Sequence, residues 1–464
     1  MKMEHTTKKK SLMKDMTQGS PMKLILEFTL PMIFGFLFQQ FYNMADTVIV
    51  GRFLGVHALA SVGATGSINF CVIGFCMGVC NGFAIPVAQK FGAKDEVRLR
   101  GFVGNSALLA ILFAAVMTAV TVILCRPILE FMNTPSDIID GAYNYIVVIF
   151  AGIPATYLYN LLSGYIRSLG DAKTPVVFLT ISSLLNIVLD VLFIVVFHMG
   201  VAGAAWATVV SQAVSGILCF FYMIKHFPIL RLKKEDWSLR KTYVSTLCKI
   251  GIPMGLQYSI TAIGSVILQV AVNSLGSMAV AAVTAGSKIQ MLLACPFDAM
   301  GSTMATYGGQ NVGAKRLDRI SQGLRSCVII GGVYSVISLG IALMWGRNIA
   351  FLFINKGETE LLGQIYMYLL GSVVCYMLLA LVNIVRFLIQ GMGFSGFAIL
   401  AGVCEMAARS FVGFVLVPIF GFKAVCLGNG LAWIAADLFL IPAYFHVIKK
   451  LKRLFQEGRK NEME

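Results

Sequence analysis

Charged residues are scarce in this sequence. Only 13% of its 464 residues are Asp, Glu, Lys or Arg, while 58% are hydrophobic and the mean hydropathy is +0.81. A typical soluble domain is about one-quarter charged. The apolar runs are about 20 to 29 residues long, enough for a helix to cross a hydrocarbon core of roughly 30 Å. The composition therefore excludes an ordinary soluble protein and predicts an all-α polytopic membrane protein.

Several other signatures are missing. The apolar runs are too long and too uniform for the short alternating strands of an outer-membrane barrel. The eleven cysteines show no paired spacing typical of a zinc site or a disulfide framework. The segment most similar to a phosphate-binding loop, GGQNVGAKR, has Ala314 where that loop requires lysine. We therefore expect neither an enzyme nor an ATP-driven pump, and no cofactor.

The hydropathy pattern predicts twelve membrane-spanning helices. Their expected bounds are 24–50, 58–84, 101–125, 138–163, 174–197, 202–224, 243–271, 280–304, 326–346, 362–388, 396–418 and 424–447.

The basic residues predict the orientation of these spans. With both termini in the cytoplasm, 30 of the 37 Lys and Arg residues fall at cytoplasmic ends, five fall at the opposite ends, and Lys288 and Arg409 lie within spans. Such a bias is typical of cytoplasmic loops. It also accounts for the net charge of +15 through contact with anionic lipid, without nucleic acid. We expect a monomeric, multi-pass protein of the plasma (inner) membrane.

The sequence repeats itself with an offset of 221 residues. QKFGAK at residues 89–94 matches QNVGAK at residues 310–315. The same offset pairs Gly55 with Gly276, Arg126 with Arg347, Gly170 with Gly391, and Gly200 with Gly421. We predict two six-helix lobes, residues 1–230 and 242–464, joined by a cytoplasmic linker at 231–241. Six is even, so the lobes are parallel repeats related by a pseudo-two-fold axis along the membrane normal, as in transporters that alternate access.

Polar residues inside the spans predict a site in the first lobe. Asp46 lies on span 1, Asn186 and Asp190 lie one turn apart on span 5, and Ala204 and Thr208 share a face of span 6. By helix rise, these residues lie at comparable depth, roughly 6 to 12 Å below the outer surface. Ionisable residues within membranes usually mark function. The alternative is that they only join neighbouring helices through hydrogen bonds.

The chemistry of this set leaves two coupling ions open. Carboxylate, amide and hydroxyl oxygens are suited to Na⁺, as to other hard cations. Two close carboxylates also repel each other when both are ionised, so the pair is equally suited to holding a proton. At an offset of 221, the second lobe has Ile267, Ala407 and Phe411 at the corresponding positions. The sequence therefore predicts a carboxylate cluster in the first lobe alone.

The order of motifs along the chain resembles the multidrug and toxic compound extrusion family, with exporters of the MepA-like type as its nearest subgroup. The residues that carry the resemblance are Pro31 followed by DTVIVGRFLG and ALASVGA, then VAQKFGAKD, YIRSLGDAKTP, NIVLDVLFI and GQNVGAKR. The resemblance implies a cation site made of Asp46, Asn186, Asp190, the Ala204 carbonyl and Thr208, with Gln39, Tyr145 and Asn160 as accessory residues. Another branch of the family uses an acidic residue on helix 7. Here span 7 has no acid, and Thr261 lies near that place.

Four further polar residues in the second lobe have two interpretations. Lys288 and Asp298 on span 8 are expected to face the interior, either to act in the cavity or in coupling or to pair between helices. Glu405 and Arg409 stand at i, i+4 on span 11, where a structural pair that packs helices is the simpler interpretation.

Together these features predict a secondary active antiporter. It would export amphipathic, often cationic, small molecules or drugs in exchange for inward H⁺ or Na⁺. Two alternatives remain open, a flippase of lipid-linked precursors with related architecture and a passive or uptake transporter. The flippase would need several intramembrane basic residues in its cavity, and the spans offer only Lys288 and Arg409.

Overall fold

The computed structural model describes residues 13–351 and 359–461. Within these ranges the regular structure is helical, without β-strands. The helices of the first half are α1 Pro21–Leu54, α2 Val56–Ala64, α3 Gly66–Gly92, α4 Glu96–Phe131, α5 Ile139–Ala151, α6 Ile153–Ser168, α7 Lys173–Val191 and α8 Val201–His226. Those of the second half are α9 Lys241–Asn273, α10 Ser277–Gly313, α11 Leu317–Ala350, α12 Thr359–Val373, α13 Tyr376–Gly391, α14 Gly396–Phe411, α15 Val417–Phe420 and α16 Phe422–Asn461. A π-helical turn follows α7 at Leu192–Val196 and another follows α14 at Val412–Leu416.

These helices confirm the predicted twelve spans. Ten helices of the described chain, each counted with any π-helical turn that continues it, are long and apolar enough to cross a membrane. Two bent pairs complete the number: α5 with α6 at 45°, and α12 with α13 at 47°. The first bend falls at Gly152, just before Pro154, which occupies the first turn of α6. Proline at that position leaves no broken hydrogen bond, because the first turn of a helix has no internal acceptor for its N–H.

The backbone confirms the internal repeat at unusual torsion angles. Gly55 and Gly276, which precede α2 and α10, have φ of 85° and 97°. Gly200 and Gly421, which precede α8 and α16, have φ of 63° and 59°. These values lie in the left-handed region, which glycine adopts without steric cost. Each lobe therefore turns between the same spans by the same local geometry.

The repeat offset is not constant, and one predicted pairing is wrong. Gly170 has a φ of 88°, and its counterpart in the second half is Gly393 at 93°, whereas Gly391 is the last residue of α13. The offset in span 4 is therefore 223. Two arginine–tyrosine contacts also recur in both lobes, because Arg126 lies over the ring of Tyr143 and Arg347 lies over that of Tyr366. Their tyrosines are 223 residues apart, whereas their arginines keep the offset of 221.

Small residues bring the two lobes into close contact. Gly78 and Gly82 on α3 face Gly255 and Gly251 on α9 so closely that a Cβ at either α3 position would overlap the α9 backbone. Membrane helices associate through such surfaces because close backbone packing replaces a hydrophobic driving force that lipid does not provide. On the other side of the molecule, the hydroxyls of Thr29 on α1 and Thr303 on α10 lie 2.9 Å apart.

The repeated QxxGAK motif closes one end of the bundle. A Cβ at Gly92 would lie 1.9 Å from the carbonyl oxygen of Gln310, and one at Gly313 would lie 1.8 Å from that of Gln89. The two contacts are thus related by the repeat. The Gln89 side chain also donates to the carbonyl of Gly391 across the lobes at 3.1 Å. We call this the Gly92–Gly313 end of the molecule.

The segment predicted as the linker packs against the first lobe. Arg100 on α4 pairs with Asp236 at 3.6 Å. Asn105 on the same helix donates to the carbonyl of Ser238 at 3.1 Å and accepts from the backbone N–H of Arg240 at 2.8 Å. These contacts fix where α9 begins.

Candidate functional site

The carboxyl groups of Asp46 and Asp190 face each other inside the first lobe. Asp46 is half-buried on α1, about 12 Å before the end of that helix at about 1.5 Å per residue. Asp190 is fully buried on the last turn of α7. The two side chains are close enough to interact directly. The structure therefore brings together two acids that are 144 residues apart in the sequence.

Three further predicted residues surround this pair. Asn186 lies one turn before Asp190 and is buried, and its amide Nδ2 lies 3.4 Å from the hydroxyl of Thr208 on α8. Ala204, one turn before Thr208, is fully buried. Three helices, α1, α7 and α8, thus contribute one compact set of oxygen-bearing side chains.

Several buried oxygen atoms of this site accept no hydrogen bond from the protein. Asp46 Oδ1, Asn186 Oδ1 and both carboxylate oxygens of Asp190 are buried and accept no protein hydrogen bond. Buried acceptors of this kind are costly unless they receive a proton or a cation. The donor set of two carboxylates, an amide and a hydroxyl fits Na⁺, and the facing carboxylates fit a shared proton.

Tyr42 belongs to the same site and was missed from the sequence. It interacts with both Asp46 and Asp190, and the Gln39 side chain lies within hydrogen-bonding reach of its hydroxyl. Tyr145 on α5 is buried against the same three groups. Positions 39, 42 and 46 share one face of α1, so helical spacing from Asp46 was the signal that could have found Tyr42.

The remaining accessory candidates lie elsewhere. Asn160 donates from Nδ2 to the carbonyl of Thr156 within its own helix at 2.8 Å. Lys288 is exposed on α10. Asp298 on the same helix accepts a hydrogen bond from Asn383 on α13 at 3.2 Å. These three residues do not join the Asp46–Asp190 site.

Glu405 lies between two arginines in the second lobe. Its Oε2 is 3.3 Å from Arg409 Nη2, as the i, i+4 spacing predicts, and its Oε1 also pairs closely with Arg386 on α13. All three side chains are buried. Arg386 is one of the 30 basic residues predicted at cytoplasmic ends, but its guanidinium is buried and paired with Glu405 inside the lobe.

The two lobes carry different polar residues at corresponding positions. Ser182, Ser183, Asn186 and Asp190 are buried on α7, and Ala401, Gly402, Glu405 and Arg409 are buried with the same spacing on α14. The offset of 221 had matched Asp190 to Phe411, which is 54% exposed and cannot occupy the equivalent place. The buried face of α7 thus carries Asn186 and Asp190, whereas that of α14 carries Glu405 and Arg409.

Comparison with known proteins identifies the architecture. The MatE family profile matches residues 31–192 and again 253–415, one match in each lobe. The chain belongs to the MatE family. It is 29% identical to the probable multidrug resistance protein YpnP of Bacillus subtilis over 76% of this chain and 79% of that protein. It is 24% identical to the multidrug export protein MepA of Staphylococcus aureus over 56% of this chain and 57% of that protein.

Solved MatE structures have the same fold. A crystal structure of a MATE protein in complex with MaL6 aligns with a TM-score of 0.88 at 22% identity, covering 96% of this chain and 99% of that one. An outward-facing MATE transporter of the MOP superfamily aligns equally well over the same shares. The molecule is therefore a multi-pass membrane protein of a multidrug efflux transporter family.

Proposed function

We propose that this MatE protein is a secondary active antiporter that exports amphipathic, often cationic, drugs in exchange for H⁺ or Na⁺. The observation that carries the proposal is the set of buried, donor-free acceptors on Asp46, Asn186 and Asp190. Such a set stabilises a bound cation. The names of YpnP and MepA, which describe multidrug resistance and export, favour drugs as the other ligand.

Transport of the drug is coupled to the cation because both compete for binding in the first lobe. A cation held between Asp46 and Asp190 neutralises the negative charge that an organic cation would seek there. Each ligand then favours a different state, and a ligand shifts a conformational equilibrium only through such a difference in affinity. Tyr42, Tyr145 and Gln39 would form the wall that both ligands contact.

The close contacts at the Gly92–Gly313 end favour one state of the transport cycle for the described conformation. The excess of Lys and Arg near this end favours its location at the cytoplasmic face of the plasma membrane. With that orientation the described conformation is closed to the cytoplasm. Cation uptake from outside, rocking of the two lobes, and drug uptake from the cytoplasm would follow in turn. The protein acts as a monomer surrounded by lipid.

The proposal is tested with inverted membrane vesicles and a fluorescent organic cation. An imposed H⁺ or Na⁺ gradient should drive dye uptake, and Asp46→Asn or Asp190→Asn should reduce the gradient-driven part about tenfold, within the usual range of allosteric coupling. Asp140→Asn is the matched control, because Asp140 is an exposed acid paired with Arg126 at 2.7 Å. Uptake that persists unchanged after the gradient collapses would exclude antiport and favour a passive transporter.

A further inference from the structure

A second polar cavity lies in the C-terminal lobe. It measures about 300 Å³ and is lined by residues of α9, α10, α12 and α14 together with Val425 and Asn429 of α16. Its polar lining residues are Ser265, Gln269, Ser287, Gln290, Tyr368, Arg409 and Asn429. Among the described residues that line it there is no Asp or Glu.

The cavity occupies the place that corresponds to the Asp46–Asp190 site in the first lobe. Tyr368 corresponds to Tyr145 at the offset of 223, and Asn429 corresponds to Thr208 at the offset of 221. Arg409 lies on the buried face of α14, as Asp190 lies on the buried face of α7. Corresponding parts of the two lobes therefore carry side chains of opposite charge.

Arg409 offers this cavity unused hydrogen-bond donors. Its side chain is only 6% exposed, and its Nε and Nη1 have no protein partner. Only Nη2 is used, by Glu405. Gly264 on α9 leaves room beside the guanidinium, because a Cβ there would lie 3.4 Å from Nη1. A buried guanidinium with free donors is costly unless an acceptor completes it.

The surrounding charges leave Arg409 without full compensation. Glu405 is shared between Arg386 and Arg409, so the three side chains carry one excess positive charge. Asp437 on α16 is buried and interacts with Arg386, and it does not line the cavity. The cavity therefore faces a guanidinium whose charge is only partly offset.

We infer that the C-terminal cavity binds a small organic anion, with its carboxylate on Arg409. The free Nε and Nη1 donate charge-assisted bonds to that carboxylate. Tyr368, Asn429 and Gln290 can bond polar groups of the ligand. The apolar lining, which includes Leu268, Val272 and Val283, accepts its carbon body. A volume of about 300 Å³ suits a small organic molecule, which distinguishes this occupant from a bare halide ion.

The inference concerns equilibrium binding and is independent of antiport. The test uses the full-length protein purified in detergent, with radiolabelled benzoate as the probe and benzamide as its uncharged analogue. Benzoate should bind saturably, and excess benzamide should not displace it. Arg409→Gln should weaken benzoate binding about tenfold or more, whereas Arg347→Gln, which removes an exposed arginine of the same lobe, should leave it unchanged.

A second variant protects the test against misfolding, since Arg409 also pairs with Glu405. Ser265→Phe fills the rim of the cavity without touching the ion pairs and should also abolish binding. Equal affinity in wild type, Arg409→Gln and Ser265→Phe would overturn the inference. A second contrary result would be that chloride displaces radiolabelled benzoate at a lower concentration than unlabelled benzoate does. The preferred occupant would then be a halide.

Discussion

At the scale of single residues, Asp46 and Asp190 are acceptors placed where water is scarce. An isolated carboxylate in such surroundings is expensive, and two facing carboxylates are more so. Among residues 13–351 and 359–461, no arginine or lysine interacts with this pair. A mobile cation is the simplest compensation, since it can leave when the transport cycle requires.

Tyr42 gives a milder test of the same site. Tyr42→Phe removes a hydroxyl beside Asp46 and Asp190 but keeps the ring that packs there. We expect cation affinity to fall a few-fold while the protein stays folded, because the loss of one hydrogen bond changes binding by about 1 kcal/mol. The measurement is the cation concentration that half-saturates dye efflux. Tyr366→Phe, beside Arg347, is the control and should leave that concentration unchanged.

The Arg386–Glu405–Arg409 cluster predicts a large loss of stability. Glu405→Gln removes the carboxylate that pairs with both buried guanidinium groups. Breaking a buried ion pair in this way destabilises by about 3–5 kcal/mol. The expected result is a much lower melting temperature in detergent. Glu457→Gln, which breaks the exposed pair with Arg453, should hardly change it. Equal melting temperatures for the two variants would contradict this account of the cluster.

At the scale of helices, Gly92 and Gly313 determine how tightly the lobes close. Gly313→Ala places a methyl group 1.8 Å from the Gln89 carbonyl oxygen, so this end must open. Transport should fall, and a cysteine at Ser302, which lines the small cavity between the lobes, should react faster with a thiol reagent added from that end. Gly340→Ala on α11 is the control, since nothing lies within 4 Å of its Cβ. Unchanged labelling in Gly313→Ala would show that the contact does not close this end.

The helices themselves were predictable because the membrane permits few alternatives. A long apolar run in lipid must satisfy its own backbone hydrogen bonds, so length and hydropathy predict a helix almost directly. The register between repeats was less predictable. Corresponding helices differ in length between the lobes, since α7 has 19 residues and α14 has 16, so a fixed offset of 221 placed Phe411 opposite Asp190. Only the buried faces of the helices corrected this.

Side-chain partners were predictable where chemistry and spacing agreed. Asp46, Asn186 and Asp190 were found because carboxylates and amides are conspicuous in apolar spans. Tyr42 has no charge and was overlooked. Arg386 was misassigned because an arginine near the end of a span resembles a charged residue of a cytoplasmic loop. Its partner Glu405 lies on another span, so spacing along the sequence did not reveal the ion pair.

At the scale of the whole molecule, two lobes of one fold carry sites of opposite character. The first presents carboxylates around Asp46 and Asp190. The second presents the guanidinium of Arg409 and the glutamate that partly offsets it. Duplication of a six-helix unit therefore retained the scaffold, its turns and its central contacts, while the residues that face each lobe's interior diverged. In our proposal the first lobe couples the cation.

The most direct test of that claim is drug binding to the purified protein at several pH values and Na⁺ concentrations, in wild type and Asp190→Asn. In wild type, the cation that drives transport should weaken binding of the organic cation. In Asp190→Asn that dependence should disappear while drug binding itself persists. The same cation dependence in both proteins would contradict the claim that Asp46 and Asp190 couple the two ligands.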